Sequence, residues 1–558
     1  MGDKFRVTRP PKIGLILLAV ACVLAGCGGI DRSLWNMARG YVGARATALD
    51  TSLISEEAQA RGALLFAFGD YGGLDTDAMR TVAVPWKLTS AALVMEQSPN
   101  DVSQASLRRI LANYGFLYPV EIANWPVDAG PPPKPEAVLG VSLGVARRSL
   151  PPIELQIGNI GCAACHAAPS YEADGRPTPN KVWLGAPNPS LNLEAYTQGL
   201  YVALSAGIAD PDRLMTTVRR LYPDVTEREL ATLRSFVLPR VRERMTAIAV
   251  AGQGVLPFSN GLPGATNGVA ALKLQHGLLA ADPATMMREV GFTSIPHLAD
   301  RGWRSALLWD GAYAPPGQKR FRAMGEADLT DAHREDLAAM TAYFTVPSMG
   351  VSGSQARRSV SDTKTAWVFL QTVRPQPFPA KIDEARANAG REIFQRACVS
   401  CHGVYVETAR GPRLASFPNW AGDVGTDLTR AEAMTEVLAE RVNASPLRAS
   451  ISAAHTGVYA APPLTGVWQS APYLHNGSVP SLAALLGLEP RPARFIVGGH
   501  AMDLENVGVA YPDGYQPYSQ PAWVDTRKRG LGAAGHEAPF ADLSRDERLA
   551  LLEYLKRL

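Results

Sequence analysis

"GCAACHAAPSY" spans residues 161–171 and sets Cys162 and Cys165 three apart, with His166 directly after them. The arrangement returns at residues 397–403 as "ACVSCHG", giving Cys398, Cys401 and His402. Coiled into one helical turn, a Cys-x-x-Cys pair spans the two vinyl groups of a porphyrin, and the next histidine falls beneath the ring, where its imidazole can bind iron. This is the attachment pattern of a c-type haem. Three other readings compete. A zinc site wants a third and a fourth ligand at short spacing, whereas these two pairs lie far apart in the chain. A thioredoxin-like redox pair has no use for the histidine. Disulfides between the pairs would also leave His166 and His402 unexplained. Two such motifs predict two covalently bound haem c groups, with Cys162, Cys165, Cys398 and Cys401 as the linking residues and His166 and His402 as iron ligands.

The chain has six cysteines, and the two outside these motifs are Cys22 and Cys27. Both lie in a distinctive N-terminus. "MGDKFRVTRPPK" carries Lys4, Arg6, Arg9 and Lys12, and the uncharged "IGLILLAVACVLAG" follows at residues 13–26. This apolar run is shorter than the roughly 20 residues that a membrane-spanning helix needs. A basic start and a short apolar core form an export signal. Its end, "LAGC", resembles a bacterial lipoprotein signal, with cleavage after Gly26 and a lipid on Cys27. An uncleaved anchor, or a signal cut further on, would equally put the body outside the cytoplasm. The expected location is the periplasmic or cell-surface side of a bacterial membrane, the outer membrane on the lipoprotein reading.

Of the 558 residues, 46% are hydrophobic and 19% charged, enough apolar material for several cores. At about 150 residues per domain this length suggests roughly three or four domains. A net charge of +3 offers no field that would select nucleic acid as a partner. Residues 1–26 read as the signal, 27–135 as an N-terminal helical extension, 136–380 as the N-terminal haem domain, and 381–558 as the C-terminal cytochrome c domain. "DAGPPPKPEA" and "VRPQPFPAKID" mark the linkers.

The two motifs sit in different surroundings. Before the second, "DEARANAGREIFQRACVSCHG" predicts a helix that opens at Asp383, with Ala389, Ile393, Phe394 and Ala397 at helical spacing. Gly390 inside it costs about 1 kcal/mol relative to alanine. Gly403 is free to turn the chain after His402. Before the first motif, "PPIELQIGNIG" looks extended. At the C-terminus, Ser544 and Glu547 fit a capping box for a final helix. Few other stretches read as strands. The predicted fold is mainly α: two cytochrome c-like haem domains with long loops and few β-strands.

What occupies the second axial position of each iron decides its chemistry. Seven further histidines are available: His276, His297, His333, His455, His475, His500 and His536. Two stand out, His475 in "PPLTGVWQSAPYLHNGSVPSL" and His536 in the glycine-rich "GLGAAGHEAPF".

"PLTGVWQSAPYLHNGSVPSLAALL" and "GREIFQRACVSCHG" resemble blocks of bacterial diheme cytochrome c peroxidases and their relatives. The ending, a Gly-His followed by "LS" and "ALLEYLK", is most similar to the diheme rubber oxygenases, which cleave poly(cis-1,4-isoprene) with O2. The resemblance covers roughly residues 140–558. It implies that His166 serves a catalytic N-terminal haem, and that His402 serves an electron-storing C-terminal haem with His536 opposite. It places His475 beside a haem, bonding a propionate. Where the peroxidase relatives carry a methionine or tyrosine ligand, this chain has Glu489, which favours His536. Trp309, in "GWRSALLWDGAY", would be the aromatic relay between the haems, or else a packed core residue. Phe321 or Met324 would fall at the distal phenylalanine of the oxygenases. A methionine there would bind iron and block O2. A calcium ion between the domains would match the peroxidase relatives, but no loop here demands one. The function expected is a haem-dependent oxidoreductase, a dioxygenase or peroxidase. Its partners would be an electron-donor protein, O2 or peroxide, and polyisoprene or another apolar substrate. The competing class is a membrane-tethered electron carrier with both irons six-coordinate.

Overall fold

The computed structural model describes residues 58–69, 84–132, 138–148, 153–250, 258–279, 289–349 and 353–558. The export signal and Cys27 lie outside them.

A mainly α fold with few strands does not describe this molecule. It is 42% helical and 16% strand, and among the described residues the strands form eight small sheets of two or three members each. Many of these strands are two residues long, such as Tyr313–Ala314 and Ser452–Ala453. So short a strand carries no alternation to read, and its partner lies far away in the chain, as with Ser452 opposite Ala314. Pairing of this kind satisfies the backbone of long buried loops.

The longer strands frame the two Cys-x-x-Cys-His motifs. Val141–Arg148 runs antiparallel to Ile153–Ile160, which leads into the turn Cys162–Cys165. Behind that turn comes the hairpin of Ala167–Tyr171 and Pro177–Leu184. The second motif repeats the plan, since the turn Val399–His402 is followed by the hairpin of Val404–Thr408 and Gly411–Phe417. The entries differ, however: an extended strand delivers the first pair and a helix the second.

Three large cores hold these pieces. Helices Trp86–Gln97, Gln104–Asn113, Leu193–Ala209 and Pro211–Leu221 pack together and reach Ala164 of the first motif. A second core joins helices Ala58–Phe68, Asp331–Met349 and Gly353–Leu370 and reaches Ala163. The first motif is therefore wedged between two cores. The third core carries the second motif and pairs helix Glu384–Ala397 with the final helix Arg545–Leu555.

Helix Glu384–Ala397 begins where its cap requires. Asp383 accepts from the Arg386 N–H at 3.0 Å. Ile393 and Phe394 are buried, and the Phe394 ring lies 5.3 Å from Tyr554. Gly390 has a packing reason: a Cβ there would lie 1.9 Å from the Ala550 carbonyl oxygen. The final helix carries the expected capping box, with Glu547 N–H donating to Ser544 Oγ at 3.2 Å and Ser544 N–H to Glu547 at 3.0 Å.

Candidate functional site

The first motif is built largely from backbone. Gly140, at φ +72°, lies so close beneath the turn that a Cβ would sit 1.9 Å from the Ala164 nitrogen. Gly161 N–H donates to Gly140 O at 2.7 Å. Asn188 buttresses the other side. Its N–H donates to Cys165 O at 2.8 Å, and its Nδ2 donates to Ala164 O at 3.0 Å and Gly115 O at 2.9 Å. His166 Nδ1 meets the Pro296 carbonyl at 3.1 Å. A carbonyl only accepts, so Nδ1 carries the proton and Nε2 keeps its lone pair. Burial, the largest influence, brings the His166 pKa down to about 4. The ring is neutral at physiological pH, as a metal ligand must be.

The second motif repeats this device with another proline. His402 Nδ1 donates to Pro462 O at 2.8 Å, and burial again lowers its pKa to about 4. A carbonyl fixing the far nitrogen orients an imidazole for metal binding. Opposite His402 stands His536, with ring centroids 6.0 Å apart and planes at 53°. An imidazole nitrogen binds a metal at about 2.0–2.1 Å and lies about 1.1 Å from its ring centre, so two rings on opposite sides of one iron stand about 6.2–6.4 Å apart. The observed spacing matches that span.

The loop that carries His536 is heavily tied down. Asp427 accepts from the N–H groups of Gly530 and Gly532 at 3.0 and 3.1 Å. Asn476 and Ser478 donate to the carbonyls of the same two glycines, at 3.1–3.2 Å and 2.9 Å. Arg491 donates to Gly535 O at 2.8 Å. Gly535, at φ +93°, touches Gly425 so closely that a Cβ would lie 2.3 Å from its carbonyl carbon. His536 itself takes φ +61° and donates its N–H to Val424 O at 2.7 Å. The "HNGS" block thus acts through Asn476 and Ser478, which fix the loop of another histidine. His475 is buried and stacks on Tyr459 at 3.9 Å, with planes at 21°.

Trp309 is bonded to both proximal loops. Its Nε1 donates to Ser294 O at 2.9 Å, two residues before Pro296. Its carbonyl accepts from Ala460 N–H at 2.8 Å, two residues before Pro462. Phe321 packs on Gly311, where an added Cβ would lie 2.4 Å from its ring. Met324 is buried in the third core, paired with Phe417, on the side of the second motif. No contact brings Phe321 or Met324 to His166.

Four of the remaining histidines bond to backbone through one ring nitrogen, and the other nitrogen of His297, His333 and His500 is buried without a partner among the described residues. His297 Nδ1 accepts from Ala299 N–H at 3.0 Å, and His333 Nε2 meets Gly302 O at 2.8 Å. His455 Nδ1 meets Met434 O at 2.8 Å, and His500 Nδ1 accepts from Gly498 N–H at 3.3 Å.

These residues fit haem c. The bonds of His166 and His402 are made through Nδ1, leaving Nε2 for a metal, and the buried Nδ1 of His536 has no partner among the described residues. Burial pushes the Cys165 and Cys398 thiols up to about 12, unlike the low values of a redox dithiol. No cluster of three or more His, Cys, Asp or Glu side chains that could hold a metal ion occurs among the described residues.

Comparison with known proteins agrees for the C-terminal module. Residues 385–455 match the family of cytochrome c oxidase, cbb3-type, subunit III, and residues 458–496 match the RoxA-like, cytochrome c-like family. Both matches fall within one module and neither reaches the first motif. Two relatives from Sinorhizobium fredii (strain NBRC 101917 / NGR234) are similar. Uncharacterized protein y4iM is 26% identical over 313 residues, which is 47% of this chain and 64% of that protein. Uncharacterized protein y4iJ is 38% identical over 111 residues, 18% of each. The chain therefore spans less than two thirds of either relative. The C-terminal module is therefore similar to c-type cytochrome domains, RoxA-like ones among them, and a cytochrome domain of this kind implies covalently bound haem c.

Sequence reading singled out Cys162, Cys165, Cys398, Cys401, His166, His402, His536 and Trp309 as candidates. It missed Pro296, Pro462, Gly140, Asn188, Asp427 and Arg491. The prolines act through carbonyl oxygens, which leave no side-chain signature. The positive-φ glycines hinted at close approaches but not at their partners.

Proposed function

We propose that the protein is an extracytoplasmic diheme c-type cytochrome that works as a redox enzyme. Bound at the first motif, haem would supply activation of O2 or peroxide; at the second, it would store or pass electrons. The supporting observation is an asymmetry. His402 is faced by His536 at 6.0 Å, while no imidazole faces His166 in this way among the described residues. His166, oriented by the Pro296 carbonyl, would hold one iron, and His402 and His536 would together hold the other. Trp309 joins the loops that orient both proximal rings. The RoxA-like match favours O2 over peroxide and an apolar substrate such as polyisoprene. Peroxide with an electron-donor protein is the nearest alternative. The N-terminal pattern supports a lipid anchor at Cys27 and a place on the periplasmic or cell-surface side.

The test is the spin state of the purified holoprotein. One low-spin and one high-spin haem, with CO binding at only one after reduction, supports the enzyme. Oxygen uptake with polyisoprene then separates an oxygenase from a peroxidase. Two low-spin haems indifferent to CO would instead establish an electron carrier, a role the subunit III match over residues 385–455 also favours.

A further inference from the structure

Between the two motifs sits a group of cations short of anions. Arg301 and Arg304 lie on and just after the short turn Arg301–Trp303. Arg301 Nε donates to His297 O at 2.8 Å, and its guanidinium lies 5.6 Å from the Trp309 ring centroid. Its terminal nitrogens have no partner among the described residues. Arg304 is only 2% exposed, and among the described residues its guanidinium makes a single long hydrogen bond, 3.3 Å to Leu308 O. No carboxylate pairs with either guanidinium among the described residues.

The acids nearby are already engaged. Asp310 is fully buried and takes Arg430 at 2.7 and 3.4 Å. Asp300 accepts from Thr465 Oγ1 at 2.6 Å. Arg320 adds another cation and donates to the carbonyls of Gly311, Ala312 and Ser452. Arg304, Arg320 and Arg430 thus share the one carboxylate of Asp310, which is ion-paired to Arg430, while Arg301 lies next to Arg304. Burial pulls Arg301 down to about 9, with repulsion from Arg304 adding to the drop, and burial pulls Arg304 to about 10 against the opposing charge of Asp310. A buried cation with no paired anion is strongly unfavourable, and neither Arg301 nor Arg304 has a carboxylate in ion-pair contact among the described residues.

The cluster lies where such an anion would arrive. Arg301 is close enough to His166 to affect it electrostatically, and Tyr405, on the hairpin behind His402, is close enough to affect Arg301. We propose that Arg301 and Arg304 form a carboxylate-binding site at the junction of the two modules, and that its ligand is a haem propionate. The inference rests on haem at both motifs. A guanidinium fork matches a carboxylate in shape as well as charge. A propionate left without its cation favours the oxidised iron, so these arginines would raise the midpoint potential of the haem they hold. They are positioning residues, since they touch the cofactor's edge and not the reacting atoms.

The test uses the full-length holoprotein with R301Q, R304Q and R301K. Mass spectrometry first counts the haems. Optical redox titration then gives both midpoints, and resonance Raman reads the propionate bending bands. One midpoint should fall in R301Q and R304Q while R301K restores most of it, and the haem that moves is the donor of the propionate. If R301Q does not accumulate, R301K carries the test, because an ammonium cannot fork and the propionate band should shift. Two haems with unmoved midpoints in both glutamine variants overturn the site alone, as does an unshifted band in R301K. A wild-type protein lacking haem at one motif overturns the diheme reading and this inference with it.

Discussion

Gly140→Ala tests whether the first motif depends on backbone contact in the way described. Gly140 has φ +72°, and a Cβ there would lie 1.9 Å from Ala164 N, 2.4 Å from Ala164 Cα and 2.6 Å from Ala163 C. These are backbone atoms of the cysteine turn, so no rotamer can relieve the clash. The left-handed conformation costs a non-glycine residue about 1–2 kcal/mol. Forced overpacking adds about 1–3 kcal/mol. The sum is about 2–5 kcal/mol. Relaxation is blocked on both sides, because Gly140 N–H donates to Ala67 O at 3.2 Å and Gly140 O accepts from Gly161 at 2.7 Å. The turn must shift, and Cys162 and Cys165 move with it. The expected protein is less stable to guanidinium by about this amount and loses haem from the first motif while the second stays loaded. Peptide mass spectrometry reports each motif separately. A variant with both haems and an unchanged unfolding midpoint would refute the argument.

Three further outcomes follow from the same geometry. Gly390→Ala should destabilise the C-terminal module despite a helix-propensity gain of about 1 kcal/mol, because its Cβ would meet the Ala550 carbonyl at 1.9 Å; a raised melting temperature would contradict this. Asn188→Ala strips donors from the Ala164 and Gly115 carbonyls and should cost about 1–3 kcal/mol, seen as a lower unfolding midpoint with the second motif's spectrum intact. His536→Ala should turn one low-spin haem into a CO-binding one, while His536→Met should keep it low-spin and raise its potential; no spectral change in either variant would remove His536 from the iron.

How far the sequence can be read depends on where each interaction is encoded. The cysteine pairs and their histidines are local, and one turn of chain brings them together. Helix Glu384–Ala397 and the Ser544–Glu547 cap are local as well, so spacing and capping residues located them. The strands were missed because two-residue pairings such as Ala421–Gly422 with Tyr459–Ala460 exist only after distant loops meet. The role of "HNGS" was missed for the same reason. Its histidine drew attention as a possible ligand, but Asn476 and Ser478 act on carbonyls of Gly530 and Gly532 far along the chain.

That long-range wiring ties the two Cys-x-x-Cys-His motifs to one another. If the modules were merely tethered, each proximal histidine would be set by its own loop. Instead, Trp309 donates to the loop that ends in Pro296 and accepts from the loop that ends in Pro462. Ser294 is bonded in turn to the "HNGS" segment, through its N–H to His475 O at 2.7 Å and its hydroxyl to Leu474 O at 3.0 Å. The same segment fixes the loop of His536. One connected set of bonds therefore reaches His166, His402 and His536. Rigid placement of this kind lowers the reorganisation that electron transfer between two sites must overcome, since the ligands need not move when the charge does. The arrangement requires a common frame, and neither module could form it without residues of the other.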